Sequence, residues 1–349
     1  MADKATLYPD IIESEEQLED ALTIPGPELV ASMARLEGDI LILGVAGKMG
    51  PTLARLARRA IDAADTKAKV IGVARFSQAE VRDQLEAVGV QTVPADLLDE
   101  DALTALPDAP NVIYMAGRKF GSTGREDLTW AMNTYLPGRV AARYRTSRIV
   151  ALSTGNVYPF SPVDSGGPTE EHPTEPVGEY AQSCLGRERM FQYFSTTFGT
   201  PVAIVRLNYA VDLRYGVLMD IGWKVRQGQP IPLAMGYANV IWQGDANAAI
   251  LRCLEHCASP PFVLNLTGPE TFSIRRTAEA FGQRFGKKPI FEGTETDTAL
   301  LSNVGRYVEL MGGPHVDLAR LIEWAAYWIE HDGATLNKPT HYETRDGKF

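Results

Sequence analysis

The sequence predicts an α/β protein built on a doubly wound parallel sheet, with a smaller C-terminal α/β lobe. Three observations carry this. Apolar runs of strand length alternate with helical patterns from about residue 40 onward. A glycine-spaced turn, Gly44, Gly47 and Gly50, joins the first such run to the first such helix. The chain has 349 residues, enough for a full core and a second lobe.

The elements follow in order. Residues 1–37 form an N-terminal extension, with an acidic helix over Glu13–Leu22 and another over Pro27–Leu36, its start marked by the proline. Ile40–Leu43 is a short apolar run of the kind that makes a buried strand, and leucines and alanines recur at helical spacing from Thr52. Lys69–Ala74 is the second strand, Ala79–Val88 a helix, Gln91–Pro94 a third strand and Asn111–Ala116 a fourth. Leu128–Arg145 reads as one long helix and Arg148–Ser153 as the fifth strand. Pro159–Pro176, rich in Pro, Gly, Ser and acids, is a long loop of functional length. Glu179–Phe198 is a helix, Val202–Leu207 a strand, and Phe262–Leu266 a last strand returning to the sheet. The domain reading is 38–210 for the dinucleotide-binding part and 211–261 with 267–349 for the substrate lobe. The polar stretch from Lys338 has no periodicity and carries no functional reading.

Composition bounds the function. With 34 basic and 44 acidic residues the net charge is −10, which argues against nucleic acid or an anionic membrane as a partner. No apolar run approaches the roughly 20 residues that span a bilayer. The opening residues lack a secretory pattern, and three cysteines make no disulfide framework, so a cytoplasmic setting is expected. Cys253, His256 and Cys257 share a helix face, but the amphipathic pattern over Asp245–Cys257 reads as a packed helix, and no metal site is expected.

Three segments carry chemistry. The strand–turn–helix around Gly44, Gly47 and Gly50 has the parts of a dinucleotide site: glycines let the backbone approach a pyrophosphate, and the helix N-terminus offers N–H groups and positive dipole. Ser153-Thr154-Gly155-Asn156-Val157-Tyr158 lies at a strand's carboxyl end, where ligands gather in open α/β sheets. Tyr180-Ala-Gln-Ser-Cys184 opens the helix after the long loop, and a phenol beside a nicotinamide can pass a proton.

Together with Asp96-Leu97, Tyr114-Met-Ala-Gly117 and Arg206-Leu-Asn-Tyr-Ala, these motifs resemble the extended short-chain dehydrogenase/reductases, the NAD-dependent epimerase/dehydratase family, from about residue 39 to about 290. The resemblance implies a Rossmann-like fold and a nicotinamide cofactor. Gly44, Gly47 and Gly50, with the Lys48 and Met49 backbone, would cradle the pyrophosphate. Asp96 and Leu97 would border the adenine, and Ala116 and Gly117 the cofactor ribose. Thr154 and Tyr180 would be catalytic, Tyr180 also touching the cofactor, and Asn208 would sit at the nicotinamide–substrate boundary. It also implies a homodimer through the Leu128–Arg145 and tyrosine helices.

Two departures matter. Cys184 stands where the family has the lysine that lowers the tyrosine pKa and holds the nicotinamide ribose. Arg187, Arg118 and Lys119 are the candidate replacements, Arg187 leaning toward a solvated surface charge. At the end of the second strand Ala74 takes the place of the acid that binds the NAD ribose diol, with Arg75 beside it, so NADP is preferred over NAD. The arginine that nucleotide-sugar members often carry just before the apolar stretch ahead of their late Asp is absent from Tyr237–Asp245, which turns the reading to a small sugar, sugar acid or lactone. Arg214 and Lys224 are candidate anion contacts; Trp223, Trp242 and Tyr215 are candidate sugar-facing rings. The sequence reading is therefore an NAD(P)-dependent oxidoreductase on a carbohydrate-like hydroxyl or carbonyl, with a sugar epimerase/dehydratase, an NADPH-dependent enone reductase and a non-catalytic cofactor sensor as alternatives.

Overall fold

The computed structural model describes residues 7–119, 124–338 and 340–348. Seven parallel strands form the central sheet: β1 Ile40–Leu43, β2 Val70–Ala74, β3 Gln91–Pro94, β4 Asn111–Tyr114, β5 Arg148–Thr154, β6 Val202–Leu207 and β7 Phe262–Leu266. Their spatial order is β7-β6-β5-β4-β1-β2-β3. The chain starts in the middle and winds first one way, then the other, so a crevice opens where β1 and β4 diverge.

Side chains alternate through the sheet, as strand geometry requires. Ile40 and Ile42 face one core; Leu41 and Leu43 face the other. The first core is covered by α2 (Pro27–Arg35), α3 (Gly50–Ala63) and α10 (Gln243–Arg252), through residues such as Met33, Leu53 and Ile250. The opposite core is covered by α7 (Leu136–Arg143) and α8 (Gly178–Phe198), through Val140 and Phe191. A third core holds α9 (Val217–Gln227), α11 (Ile274–Phe285) and α13 (Leu318–Glu330) around Trp242, Phe281 and Trp324.

The N-terminal extension belongs to both parts. Helix α1 (Glu15–Leu22), capped by Ser14, puts Leu18 and Leu22 into the third core, whereas α2 puts Leu29 and Met33 into the sheet core. Residues 128–145 are not one regular helix: α6 (Glu126–Trp130) runs through a π turn at Ala131–Tyr135 into α7. The long loop is pinned. Its Ser161–Pro162 pairs with Thr298–Ala299, and Glu170 accepts the Asn265 N–H at 2.8 Å. The Cys253–His256 turn is packed, with Cys253 buried and the His256 ring stacked on Phe262. Among the described residues no helix is long and apolar enough to cross a membrane.

Candidate active site

The glycine turn is shaped by close packing. Gly44 has φ +94°, and a Cβ there would lie 2.7 Å from the Ala116 backbone nitrogen. A Cβ on Gly50 would run into the Val45 carbonyl. Gly47 differs: an added Cβ would meet only the Gly44 carbonyl, at 3.3 Å. Two glycines are therefore imposed by the fold and the third leaves the outer face of the turn bare. Helix α3 begins at that face with no acid in its first turn and no side-chain cap. An open, positive, Cβ-free concavity suits a pyrophosphate.

A cavity of about 280 Å³ adjoins this turn. The turn supplies Lys48 and Met49; the end of β5 supplies Ser153, Thr154 and Asn156. Tyr180 enters from the first turn of α8, and Leu207 to Ala210 from the end of β6. Tyr215 to Val217 form the far wall with Thr340 of the C-terminal stretch. Parallel pairing aligns Thr154 with Leu207, which sets Thr154 beside Asn208. Thr154, Tyr180 and Asn208, far apart in sequence, thus share one space. So does Lys48, through its side chain as well as its backbone.

The buried floor under β5 is a charge network. Glu188 of α8 pairs with Arg206 of β6 at 2.8 Å and accepts the Ser153 hydroxyl at 2.5 Å. Arg206 also donates to the Tyr158 hydroxyl at 2.6 Å. Every charged atom here has a partner, as burial demands. Ser153 is thereby committed to structure, and Thr154 beside it lines the cavity. The Thr154 hydroxyl accepts the Asn156 N–H at 3.2 Å and caps the short turn at Gly155–Val157, so it both caps and lines the cavity.

Tyr180 hydrogen-bonds with Thr154 and Cys184. Burial, then the Cys184 thiol, hold its phenol far above the ordinary tyrosine range, with Arg187 opposing. Cys184 is fully buried with Val157 and Tyr158. The expectation that Arg187 is a solvated surface charge is corrected. It is 6% exposed, and it donates to the Leu152 carbonyl at 2.7 Å and to Asn133 at 2.9 Å. Asn133 sits in the π turn, wholly buried, and its amide grips both backbone groups of Arg118 at 2.8 Å. That clamp holds the neighbouring Lys119, whose ammonium lies 5.7 Å from the Tyr180 ring centre. Burial lowers Lys119 to about 8.

The other residues singled out by sequence fall as follows. Ala74 is buried at the end of β2, and Arg75 beside it is exposed. Asp96 is exposed and Leu97 buried. Gly117 lies over Arg187, whose guanidinium a Cβ would strike. Arg214 is spent on Glu19 at 2.7 Å and Asp212 at 3.2 Å, which corrects its reading as an available anion contact. Lys224, in the last turn of α9, does not line the cavity. Tyr215 faces the cavity; Trp223 lines a neighbouring one with Tyr215 and Arg214. Trp242 is wholly buried against Trp324 and is core. Sequence reasoning missed Tyr209, Thr340 and Asn133. Thr340 lies in a stretch without pattern, and Asn133 is legible only as a polar residue on an otherwise packed helix.

The NAD dependent epimerase/dehydratase family model matches residues 40–211. No curated protein matches the sequence. Among solved structures, the UDP-glucuronic acid 4-epimerase of Bacillus cereus in complex with NAD superposes with TM-score 0.70 at 18% identity, over 84% of this chain and 98% of that one. The dTDP-glucose 4,6-dehydratase of Bacillus anthracis in complex with NAD gives 0.69 at 17% identity, over 84% and 97%. MoeE5 in complex with UDP-glucose and NAD gives 0.65 at 16% identity, over 84% and 99%. At these identities the likeness is one of fold.

Proposed function

We propose that this chain, whose residues 40–211 belong to the NAD dependent epimerase/dehydratase family of enzymes, uses a nicotinamide dinucleotide to oxidise or reduce one carbon of a compact sugar-like substrate. The product either leaves oxidised, as from a dehydrogenase, or is reduced again with inverted configuration, as from an epimerase. One observation carries this: the glycine turn, Thr154, Tyr180 and Asn208 meet around a single cavity.

The bound dinucleotide supplies two-electron redox chemistry at a carbon. Gly44, Gly47 and Gly50, with the Lys48 and Met49 backbone, would hold its pyrophosphate, Asp96 and Leu97 its adenine, and Ala116 and Gly117 a ribose. The names of the similar structures include NAD. This chain's own β2 end lacks an acid for the ribose diol and presents an exposed Arg75, which supports NADP(H). Thr154 polarises the reacting oxygen. Tyr180, kept protonated by burial, donates its proton when a carbonyl is reduced. Taking that proton back requires nearby positive charge, and Arg187, which opposes the upward shift of the phenol, together with Lys119, 5.7 Å from the ring centre, would supply what the family's lysine otherwise brings. Elimination of water would need a carboxyl group in the cavity, and none is among its described lining residues, so dehydration is the less favoured branch. The three unpaired cysteines support a reducing cytoplasm.

Calorimetric titration with NADP+, NAD+ and their reduced forms tests the cofactor, with Arg75→Ala weakening NADP(H) selectively. Absorbance of the nicotinamide during sugar turnover separates a dehydrogenase, which changes it, from an epimerase, which inverts the sugar without net change. Tyr180→Phe should cut turnover by about 10²-fold or more while leaving cofactor affinity intact. Cofactor binding with no turnover of any sugar or enone would leave the sensor reading.

A further inference from the structure

We propose that the cavity recognises its substrate by a negative charge, with Lys48 and Lys119 forming the handle for a carboxylate on a compact polyhydroxylated molecule. The polyhydroxylated part of this rests on the redox reading above; the handle does not.

The charge of the cavity opposes that of the chain. Acids outnumber bases by 44 to 34, yet the described lining includes two lysines and no Asp or Glu. The lysines come from separate segments, the glycine turn and the end of β4, so local sequence does not explain their convergence. Lys48 does not lie along the turn. Its ammonium reaches the Tyr215 ring, 3.0 Å from the centre, and so stands on the substrate wall rather than over the pyrophosphate face.

Two of the nearby acids already hold other groups. Asp212 and Asp220 face Lys48. Asp212 accepts the Arg214 N–H at 2.6 Å and pairs with its guanidinium; Asp220 accepts the Thr340 N–H at 2.9 Å and its hydroxyl. Lys338 and Lys119 face Lys48 too, and both oppose its charge. Around Lys119 stand Cys184 and Glu343. Two ammoniums that repel each other gain from an anion between them. Burial, then Lys119, bring Lys48 down to about 7. An anion restores both lysines toward their ordinary values, so its binding near pH 8 takes up protons.

A carboxylate fits better than a diphosphate. No arginine is among the described lining residues to grip a phosphate bidentately, and Arg214 nearby is already paired. Lysines act as point charges and suffice for a single carboxylate.

The test is calorimetric titration of the full chain, saturated with its nicotinamide dinucleotide, at pH 7. The probes are matched pairs: D-glucuronate and D-glucose, D-galacturonate and D-galactose, D-gluconate and D-glucitol, with UDP-glucose as a fourth arm. At least one acid should bind about tenfold or more tighter than its neutral partner, an order expected of a charge-assisted contact. That preference should disappear in Lys48→Met and Lys119→Met and persist in Lys48→Arg. The same titration at pH 8, in two buffers of different ionisation enthalpy, should show net proton uptake. No preference in any pair, or a preference that survives both methionine substitutions in folded protein, overturns the proposal. Lysine-dependent binding of UDP-glucose tighter than of any free acid overturns the carboxylate in favour of a diphosphate. A protein that binds no dinucleotide fails the redox reading instead, and the acid–neutral comparison without cofactor still reads the handle.

Discussion

Cys184, at the position where the resemblance leads one to expect a lysine, is packed with Val157 and Tyr158. It is fully buried, and Arg187, one turn on along the same helix, already fills the dry volume behind it with a cation held by Leu152 and Asn133. A second cation there would share that buried volume with Arg187. Cys184→Lys should therefore not recover ordinary catalysis; it should destabilise the fold by about 3–5 kcal/mol, the cost of an uncompensated buried charge, read as a lower urea midpoint. Cys184→Ala should stay within about 1–2 kcal/mol of the parent. Lys119 offers a second residue-level test. Its folded pKa is lowered, so between about pH 8 and the ordinary lysine value the unfolded chain holds more protons than the folded one. Stability from this group accordingly rises with pH through that window. Denaturant midpoints at pH 7.5 and 9.5 should diverge less in Lys119→Met than in the parent. At this scale Thr154 and Tyr180 were legible, because each sits at a fixed offset from a strand end or helix start. Lys48 was legible only for its backbone, since the sequence cannot show a side chain crossing to Tyr215.

The glycine turn shows how an element can carry two separate demands. Gly50 serves packing, because its missing Cβ makes room for the Val45 carbonyl, whereas Gly47 leaves a face open. Gly50→Ala should lower the urea midpoint and abolish dinucleotide binding together. Gly47→Ala should weaken binding and leave the midpoint nearly unchanged. The helices after β4 and before β6 make the dimer expectation concrete. Trp130, Tyr135, Tyr193 and Phe198 are exposed on them, and an apolar hollow lies between α7 and α8, lined by Met190 and Phe194. We predict a homodimer through this face, with Tyr135→Glu combined with Tyr193→Glu giving a monomer by light scattering; a monomeric parent would refute it. Strand and helix positions were readable from apolar period and length to within a few residues. The π turn was not, because one extra residue in a helical run leaves no mark on composition.

Across the whole molecule, the two ends of the chain tie the parts together. The N-terminal helices enter different cores. The C-terminal stretch, unreadable as sequence, crosses the cleft as a strap. Thr340 bonds Asp220, Tyr342 is 1% exposed, Arg345 donates to the Thr298 carbonyl at 2.9 Å, and Gly347 packs on Gly178 just before Tyr180. Truncation after Asn337 should cost about 3 kcal/mol or more through the lost Tyr342 burial. It should also raise KM for substrate by removing a cavity wall, while dinucleotide affinity, which the proposal assigns to the glycine turn, should be kept. Equal KM in a folded truncate would separate the strap from the site.

The sequence by itself determined the sheet, its crevice and the two residues, Thr154 and Tyr180, that meet at its cavity. Strand and helix periods, turn glycines and helix starts are local properties, and local properties are written in order along a chain. Tertiary structure alone decided where Arg187 lies, which side Lys48 faces and what closes the cavity. Each depends on groups 50 to 300 residues apart meeting in a dry space, where burial and neighbouring charge, rather than residue type, set what a side chain can do.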